Sequence, residues 1–225
     1  MKKTIMIACL LGLLNTNYAQ KIYDHGILYT TVEARKGSPV AGNLLSTVES
    51  KTFLANGLLK IISTSTVETQ VFINRAENKA VTFIELMGKK LGFTAPTNSN
   101  AIDTFDVITV DSSKIINGFN CRLAKIIYKR TGEKRNPAMV WYSSDFKFTD
   151  TTMGFSLSGI EKLPGVPIQI MSMLPQSIFV SMTVNRIDLD TVITPSEFIV
   201  PKDVILYKTP QEFQSNIVRM QREGN

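Results

Sequence analysis

The 225-residue chain holds one histidine, two cysteines and one tryptophan, and these shortages remove whole classes of chemistry. A transition-metal centre usually draws on several imidazoles, thiolates or clustered carboxylates. His25, Cys121 and scattered acids do not supply one, so zinc, copper and haem are not supported and no cofactor is expected. Asp188 and Asp190 alternate at a strand end but lack the glycine-turned loop of a calcium-binding hand; solvated edge charges explain them better. No P-loop or dinucleotide glycine fingerprint is present.

A nucleophilic catalyst is no better supplied. Gly154-Phe155-Ser156-Leu157-Ser158-Gly159 has the look of a serine elbow, but its second glycine falls one position late and no helix follows it. His25 would have to serve as the base from near the chain start. Cys121 sits inside an apolar strand pattern, where a thiol behaves as a small hydrophobe. Paired acids of the glycosidase kind depend on three-dimensional separation and stay open. The expectation is a protein that is not an enzyme, with an unrecognised hydrolase as the remaining catalytic alternative.

Long apolar runs are also scarce. The clearest, Thr4 to Leu14, is eleven residues long, against the roughly 20 that a membrane-spanning helix needs, so no permanent transmembrane anchor is expected. Lys2 and Lys3 precede the run, and Ala19 offers a small residue before Gln20, the pattern of a secretory signal peptide. Residues 1–19 are accordingly read as the signal and 20–225 as a single β-rich domain that includes a C-terminal helix at 210–223. Cys9, after Met6, Ile7 and Ala8, resembles a lipoprotein acylation site, though too little apolar sequence precedes it. The expected location is the periplasm or cell envelope of a Gram-negative bacterium, or secretion beyond it. Cleavage would leave Cys121 as the only thiol, so no internal disulfide would form and core burial would hold the domain.

The net charge of +6 is mild. Its densest cluster, Lys129, Arg130, Lys134 and Arg135, flanks Gly132 in a hairpin-like turn, where charges solvate a loop. No aromatic residues interleave with it, and a nucleic-acid partner is not expected.

What is plentiful is strand-forming sequence. At residues 26–35, Leu28, Thr30, Val32 and Ala34 share one face while Ile27, Tyr29, Thr31 and Glu33 share the other. Asn56-Gly57 suits a tight hairpin turn between 53–54 and 58–62. Residues 75–79 turn between strands at 69–73 and 80–86, and 95–100 reads as a loop. Further strands are expected at 105–110, 121–129, 138–142, 167–173, 178–189 and 205–207. Nearly all neighbours should pair antiparallel, because the connections are too short for helical crossovers. The expected architecture is mainly β: an antiparallel meander forming a curved sheet or open half-barrel with a C-terminal α-helix packed on it. For that helix, Thr209-Pro210-Gln211-Glu212 supplies a cap, a first-turn proline and a capping acid, and Phe213, Ile217 and Met220 make an apolar stripe.

Several strands are apolar on both faces, as at Ile126 and Ile127, Phe83 and Ile84, and Ile178 to Val180. Helices, a second sheet or an apolar ligand could each provide the cover. Methionines concentrate in the second half, and flexible thioethers suit either adaptable binding surfaces or irregular cores. Met139, Trp141, Met171, Met173, Phe179 and Met182 are the candidate lining of an apolar ligand site.

Three segments carry a family resemblance: Ile116-Asn117-Gly118-Phe119-Asn120-Cys121-Arg122-Leu123-Ala124, Val140-Trp141-Tyr142-Ser143-Ser144-Asp145 and Lys162-Leu163-Pro164-Gly165-Val166-Pro167-Ile168. In order and spacing they resemble a Bacteroidetes-type exported family named for a Gly-Leu-Pro-Gly-Leu-Ile motif (GLPGLI-like), or a sister exported domain. Lys162 stands where the first glycine would be, and Pro167 follows Val166. The resemblance implies no catalytic residues, and Gly118, Trp141 and Pro164-Gly165 read as architectural. More distantly the meander resembles the half-barrels of periplasmic lipoprotein carriers (LolA/LolB-like), which would imply a concave sheet holding acyl chains beneath covering helices. Asp150-Thr151-Thr152 and Asp190-Thr191-Val192 resemble the short O-glycosylation acceptor of such bacteria. Together these readings lead to an exported, non-catalytic protein that binds an apolar ligand such as a lipid or lipoprotein acyl chain. The alternative is an envelope structural or protein-interaction module with an envelope protein as partner.

Overall fold

The computed structural model describes residues 20–97, 104–129, 136–150, 153 and 159–223. Residues 1–19, read as a signal and containing Cys9, half of the 95–100 loop, residues 130–135 of the basic turn, Thr151 and Thr152, and the 154–158 part of the serine-elbow look-alike lie outside them.

Fourteen strands and one α-helix follow in order: β1 Lys21–Tyr23, β2 His25–Lys36, β3 Asn43–Ala55, β4 Leu58–Thr64, β5 Glu68–Asn74, β6 Lys79–Leu86, β7 Lys89–Ala95, β8 Thr104–Ile116, β9 Phe119–Lys129, β10 Ala138–Ser143, β11 Phe146–Phe148, β12 Val166–Leu174, β13 Ile178–Asp188, β14 Ile205–Tyr207 and α1 Pro210–Glu223. Twelve strands form one sheet in the order β14-β7-β6-β5-β4-β3-β2-β13-β12-β10-β9-β8. Its ends, β14 and β8, do not meet, so the sheet is open.

This is two meanders joined, rather than one. Strands β2 to β7 pair with their sequence neighbours, as do β8 to β10; β10 then pairs with β12 across the excursion that contains β11. Strand β13 joins the halves, pairing with β12 on one side and along ten positions of β2 on the other. The expected antiparallel pairing holds along this sheet except at β14, which runs parallel to β7. Parallel β1 and β11 form a separate two-stranded ribbon. It is held by edge-to-face packing of Phe146 on Phe148, with ring centres 6.3 Å apart, and by Tyr23 and Phe119 against Phe146.

Local sequence explains the tight turns. Asn56 and Gly57, with φ of 50° and 78°, and Asn117 and Gly118, with 49° and 85°, supply the two consecutive left-handed residues that a two-residue hairpin requires. Met87-Gly88 makes the same turn with a residue that is not a customary turn former. At α1 the Thr209 Oγ1 accepts from the Glu212 amide at 3.1 Å while the Glu212 carboxylate accepts from the Lys208 amide at 3.0 Å. Phe213 packs on Phe93 and Tyr207, 5.2 and 6.2 Å between ring centres. The helix therefore covers the β7–β14 margin of the sheet.

The other margin of the sheet carries a bulge. The β8–β9 ladder shifts register between Val110 and Ser113, and a bulge of this sort bends and twists the strand. Beyond it the hairpin tip reaches far across the sheet: Asn117 Nδ2 donates to the Val184 carbonyl of β13 at 3.0 Å. Lys114 Nζ lies 4.3 Å from the Trp141 ring centre and donates to Gln169 Oε1 of β12 at 3.1 Å. Adjacent strands are about 4.8 Å apart, and β10 and β12 lie between β9 and β13. The hairpin must fold back over the sheet to make these contacts. The main core gathers there, with Leu28, Leu54, Leu59, Cys121, Leu123, Trp141, Phe146, Phe148, Val166, Ile168 and Val184 buried together.

The opposite face of β9, β10 and β12 is sealed by the chain around a short 3-10 turn, Ile160–Lys162: Ile160 and Leu163 bury against Ala124, Ile126, Val140 and Tyr142. A third apolar group, Phe72, Val81 and Phe83, is packed by Val200 and Val204 from the segment preceding β14. Doubly apolar strands are thus covered partly by irregular chain, a form of cover that strand periodicity did not single out.

The three family-like segments occupy neighbouring strands β9, β10 and β12, and Gly165 explains the Pro-Gly turn. A Cβ at that position would collide with the Ser143 carbonyl oxygen of β10. Nothing lies within 4 Å of a Cβ built at Gly57, whose constraint is its positive φ alone. Gly165→Ala should therefore cost about 3 kcal/mol through overpacking and Gly57→Ala about 1 kcal/mol through backbone strain. Urea denaturation of the two variants should reproduce that order, and equal midpoints would refute the steric account.

Candidate functional site

In a strand, alternate side chains point to opposite faces, and directly paired residues share a face. The ladders pair Met139 of β10 with Met171 of β12, Trp141 with Gln169, and Met173 of β12 with Phe179 of β13. Met139, Trp141, Met171, Met173 and Phe179 therefore lie on one face across three adjacent strands. Met182 does not join them. It pairs with Ile170 and packs against the sealed cluster on the other face.

Trp141 is 9% exposed and is held from above by Lys114. Gln169 extends that polar bracket, donating from Nε2 to Thr183 Oγ1 at 3.2 Å. Met139, Met171, Met173 and Phe179 are half-buried. Ile127 falls on the same face by register, since Lys125 pairs with Met139 and Ile127 lies two residues further along β9, and it too is half-buried. The result is a thioether-rich strip, interrupted by Lys125 and Ser181, running up to an indole ring. The side chains can repack around an apolar partner because Met has three flexible torsions and a polarisable sulfur.

Several grooves among the described residues are lined by other residues. One of about 430 Å³ is lined by Tyr29, Thr31, Glu49, Lys51 and Asn185, among others. One of about 240 Å³ lies among Leu59, Phe72, Val81, Phe198 and Val200. Strand alternation had already put Tyr29 and Thr31 on one face of β2. Their meeting with Lys51 of β3 and Asn185 of β13 depends on long-range pairing and left no local signal.

The residues considered for catalysis are scattered. His25 is part-exposed, and its Nδ1 lies 2.6 Å from Asp24 Oδ1, a contact that lowers the Asp24 pKa. Ser156 lies outside the described residues. Asp188 is engaged by its own turn: it accepts from the amides of Asp190 and Thr191 and from the Thr191 hydroxyl, and these bonds, led by the hydroxyl, lower its pKa. Among the described residues no three His, Cys, Asp or Glu side chains converge as a metal site would require, and no helix is long and apolar enough to cross a membrane.

No family model matches the chain, and no curated protein does. The GLPGLI-like resemblance therefore rests on its three segments alone. Solved structures with a similar arrangement include PNGF-II in its P21 space group, at 13% identity and TM-score 0.49, covering 87% of this chain and 34% of that one. MucB in complex with MucA(peri) is 10% identical with TM-score 0.38, covering 80% of this chain and 55% of that one. A LolA superfamily protein from Nitrosomonas europaea is 8% identical with TM-score 0.35, covering 79% of this chain and 90% of that one. The chain spans about a third of the length of PNGF-II.

Cys121 is buried beside Trp141 and Leu123, and burial pushes its thiol pKa up. Both effects suppress the thiolate that attacks disulfide reagents. Native protein should react with such a reagent at neutral pH far more slowly than urea-unfolded protein. Equal rates would place the thiol at an accessible surface.

Proposed function

We propose that this is an exported, non-catalytic protein of the cell envelope. It holds an apolar ligand, a lipid or lipoprotein acyl chain, on the methionine-rich face of its open sheet. The observation that carries the reading is the placement of Met139, Trp141, Met171, Met173 and Phe179 on one part-exposed face of β10, β12 and β13. A strip of this sort offers dispersion contacts along its length and adapts to a chain of variable bend. The charge-then-apolar pattern of residues 2–14 supports export. The three family-like segments support a place in the GLPGLI-like family or a sister family, with the Pro-Gly turn serving architecture.

Trp141 is the only tryptophan, so its emission is a reporter at the edge of the strip. Titration with dodecan-1-ol should shift that emission saturably. Met171→Lys combined with Met173→Lys should weaken binding at least about tenfold, the equivalent of about 1.4 kcal/mol, with the circular dichroism unchanged. An emission insensitive to dodecan-1-ol in the folded wild type would overturn the reading.

A further inference from the structure

The same sheet face that carries the methionine strip continues onto β2 and β3, where its character changes. Gln169 pairs with Thr183, Thr183 with Thr31, and Thr31 with Glu49, so the 430 Å³ groove lies on the strip's own side of the sheet. Thr31 is two strands across and two residues along from Met171, about 12 Å by strand geometry.

Lys51 lines this groove, and Arg186 reaches the Tyr29 ring that forms part of its wall. The β13–β2 ladder shifts register between Val184 and Arg186, leaving Asn185 as the extra residue and pairing Arg186 with Tyr29. The Arg186 guanidinium carbon lies 4.0 Å from the Tyr29 ring centre. From the other side of the row, Lys51 Nζ lies 5.5 Å from the Tyr29 ring centre and 4.5 Å from that of Phe53. These contacts place positive charge at the groove by stacking on rings.

Among the described residues neither cation has a carboxylate partner within ion-pair distance. Of the acids near them, Glu33 is held by Arg35 and Glu197 by Lys60, and Asp188 is engaged first by its turn, with the Arg186 charge a lesser influence on it. Glu49 lines the groove on the Lys51 strand and limits how much negative charge it accepts. The Asn185 amide donates to Thr31 Oγ1 at 2.7 Å, so the floor is polar and hydrogen-bonding. A sugar ring stacked on Tyr29 would have to displace Arg186. An anion needs no such displacement, because the two cations already converge.

We infer that the groove at Tyr29, Lys51, Asn185 and Arg186 receives the anionic head group of an amphiphile whose apolar chain lies on the methionine strip. The inference rests on the reading of that strip as an acyl-binding surface and adds to it the class of head group. Lys51 and Arg186 would neutralise the head while Asn185 and Thr31 offer hydrogen bonds.

Three probes separate the possibilities in the purified protein: dodecyl phosphate, dodecan-1-ol and inorganic phosphate, each followed by Trp141 emission and by calorimetry below any micelle concentration. Dodecyl phosphate should bind at least about tenfold tighter than dodecan-1-ol, with an advantage that shrinks as salt is raised. Lys51→Gln with Arg186→Gln should bring dodecyl phosphate down to the affinity of dodecan-1-ol while leaving the latter unchanged. Lys202→Gln with Lys208→Gln, an equal loss of charge away from the groove, should leave the advantage in place. Equal wild-type affinities for the two chains would overturn the head-group site yet leave the methionine strip standing, whereas failure of both chains to bind would overturn the strip itself. Inorganic phosphate binding as tightly as dodecyl phosphate would overturn the amphiphile and mark a site for free anions. Should the double variant lose its native circular dichroism, Lys51→Gln alone should remove part of the advantage, and no change in that variant would count as refutation.

Discussion

The ladder between β2 and β13 is the interaction on which the rest of the structure depends. Strands β2 to β7 and β8 to β12 are each made from short-range connections, and each would form a separate patch of sheet with an open edge. Strand β13 crosses back over about 150 residues of sequence to lie against β2, closing both edges at once. Pairing of such sequence separation carries a large loop-closure entropy, which the buried rows around Leu28, Val184 and Ile187 help to offset. Both halves of the proposed ligand surface lie beside this seam. The methionine strip ends on Phe179 of β13, and the cationic groove is built from β2, β3 and the bulge of β13.

Curvature follows from the same economy of elements. With one α-helix among the described residues, confined to the β7–β14 margin, there is little helical cover in them to lay over a twelve-stranded sheet. Irregular chain seals the faces instead, Ile160 and Leu163 on one side and Val200 and Val204 on another, while the β8–β9 hairpin folds over its own sheet. The bracket of Lys114, Gln169 and Thr183 across Trp141 satisfies polar groups at the base of that fold. It also limits how far the apolar strip extends. Without a disulfide among the described residues, these packing contacts hold the curl.

Much of the fold was legible because its signals are local. Alternation over 26–35 marks β2, Asn56-Gly57 marks the β3–β4 hairpin, and Thr209-Pro210 with Glu212 marks the helix start, each through constraints acting within a few residues. Strands β1, β7 and β11, residues 43–52 of β3 and residues 111–116 of β8 were not foreseen. Two of these, β1 and β11, are three residues long and owe their pairing to aromatic packing across 125 residues of sequence. The Met87-Gly88 turn escaped notice because methionine is seldom asked to adopt a left-handed conformation, and there the flanking ladder imposes it.

For the site, the sequence by itself determined which residue types were available: thioethers and aromatics in the second half, one tryptophan, one histidine and two cysteines. It could also say that Tyr29 and Thr31 share a face, since strand alternation is a property of the backbone. Only the tertiary structure decided that Met139, Trp141, Met171, Met173 and Phe179 meet while Met182 turns away, and that Lys51 and Arg186 converge on Tyr29. Those outcomes depend on register between strands distant in sequence, where a slip of one residue moves a side chain to the opposite face. Composition is written residue by residue, but register is settled by the packing of the whole sheet.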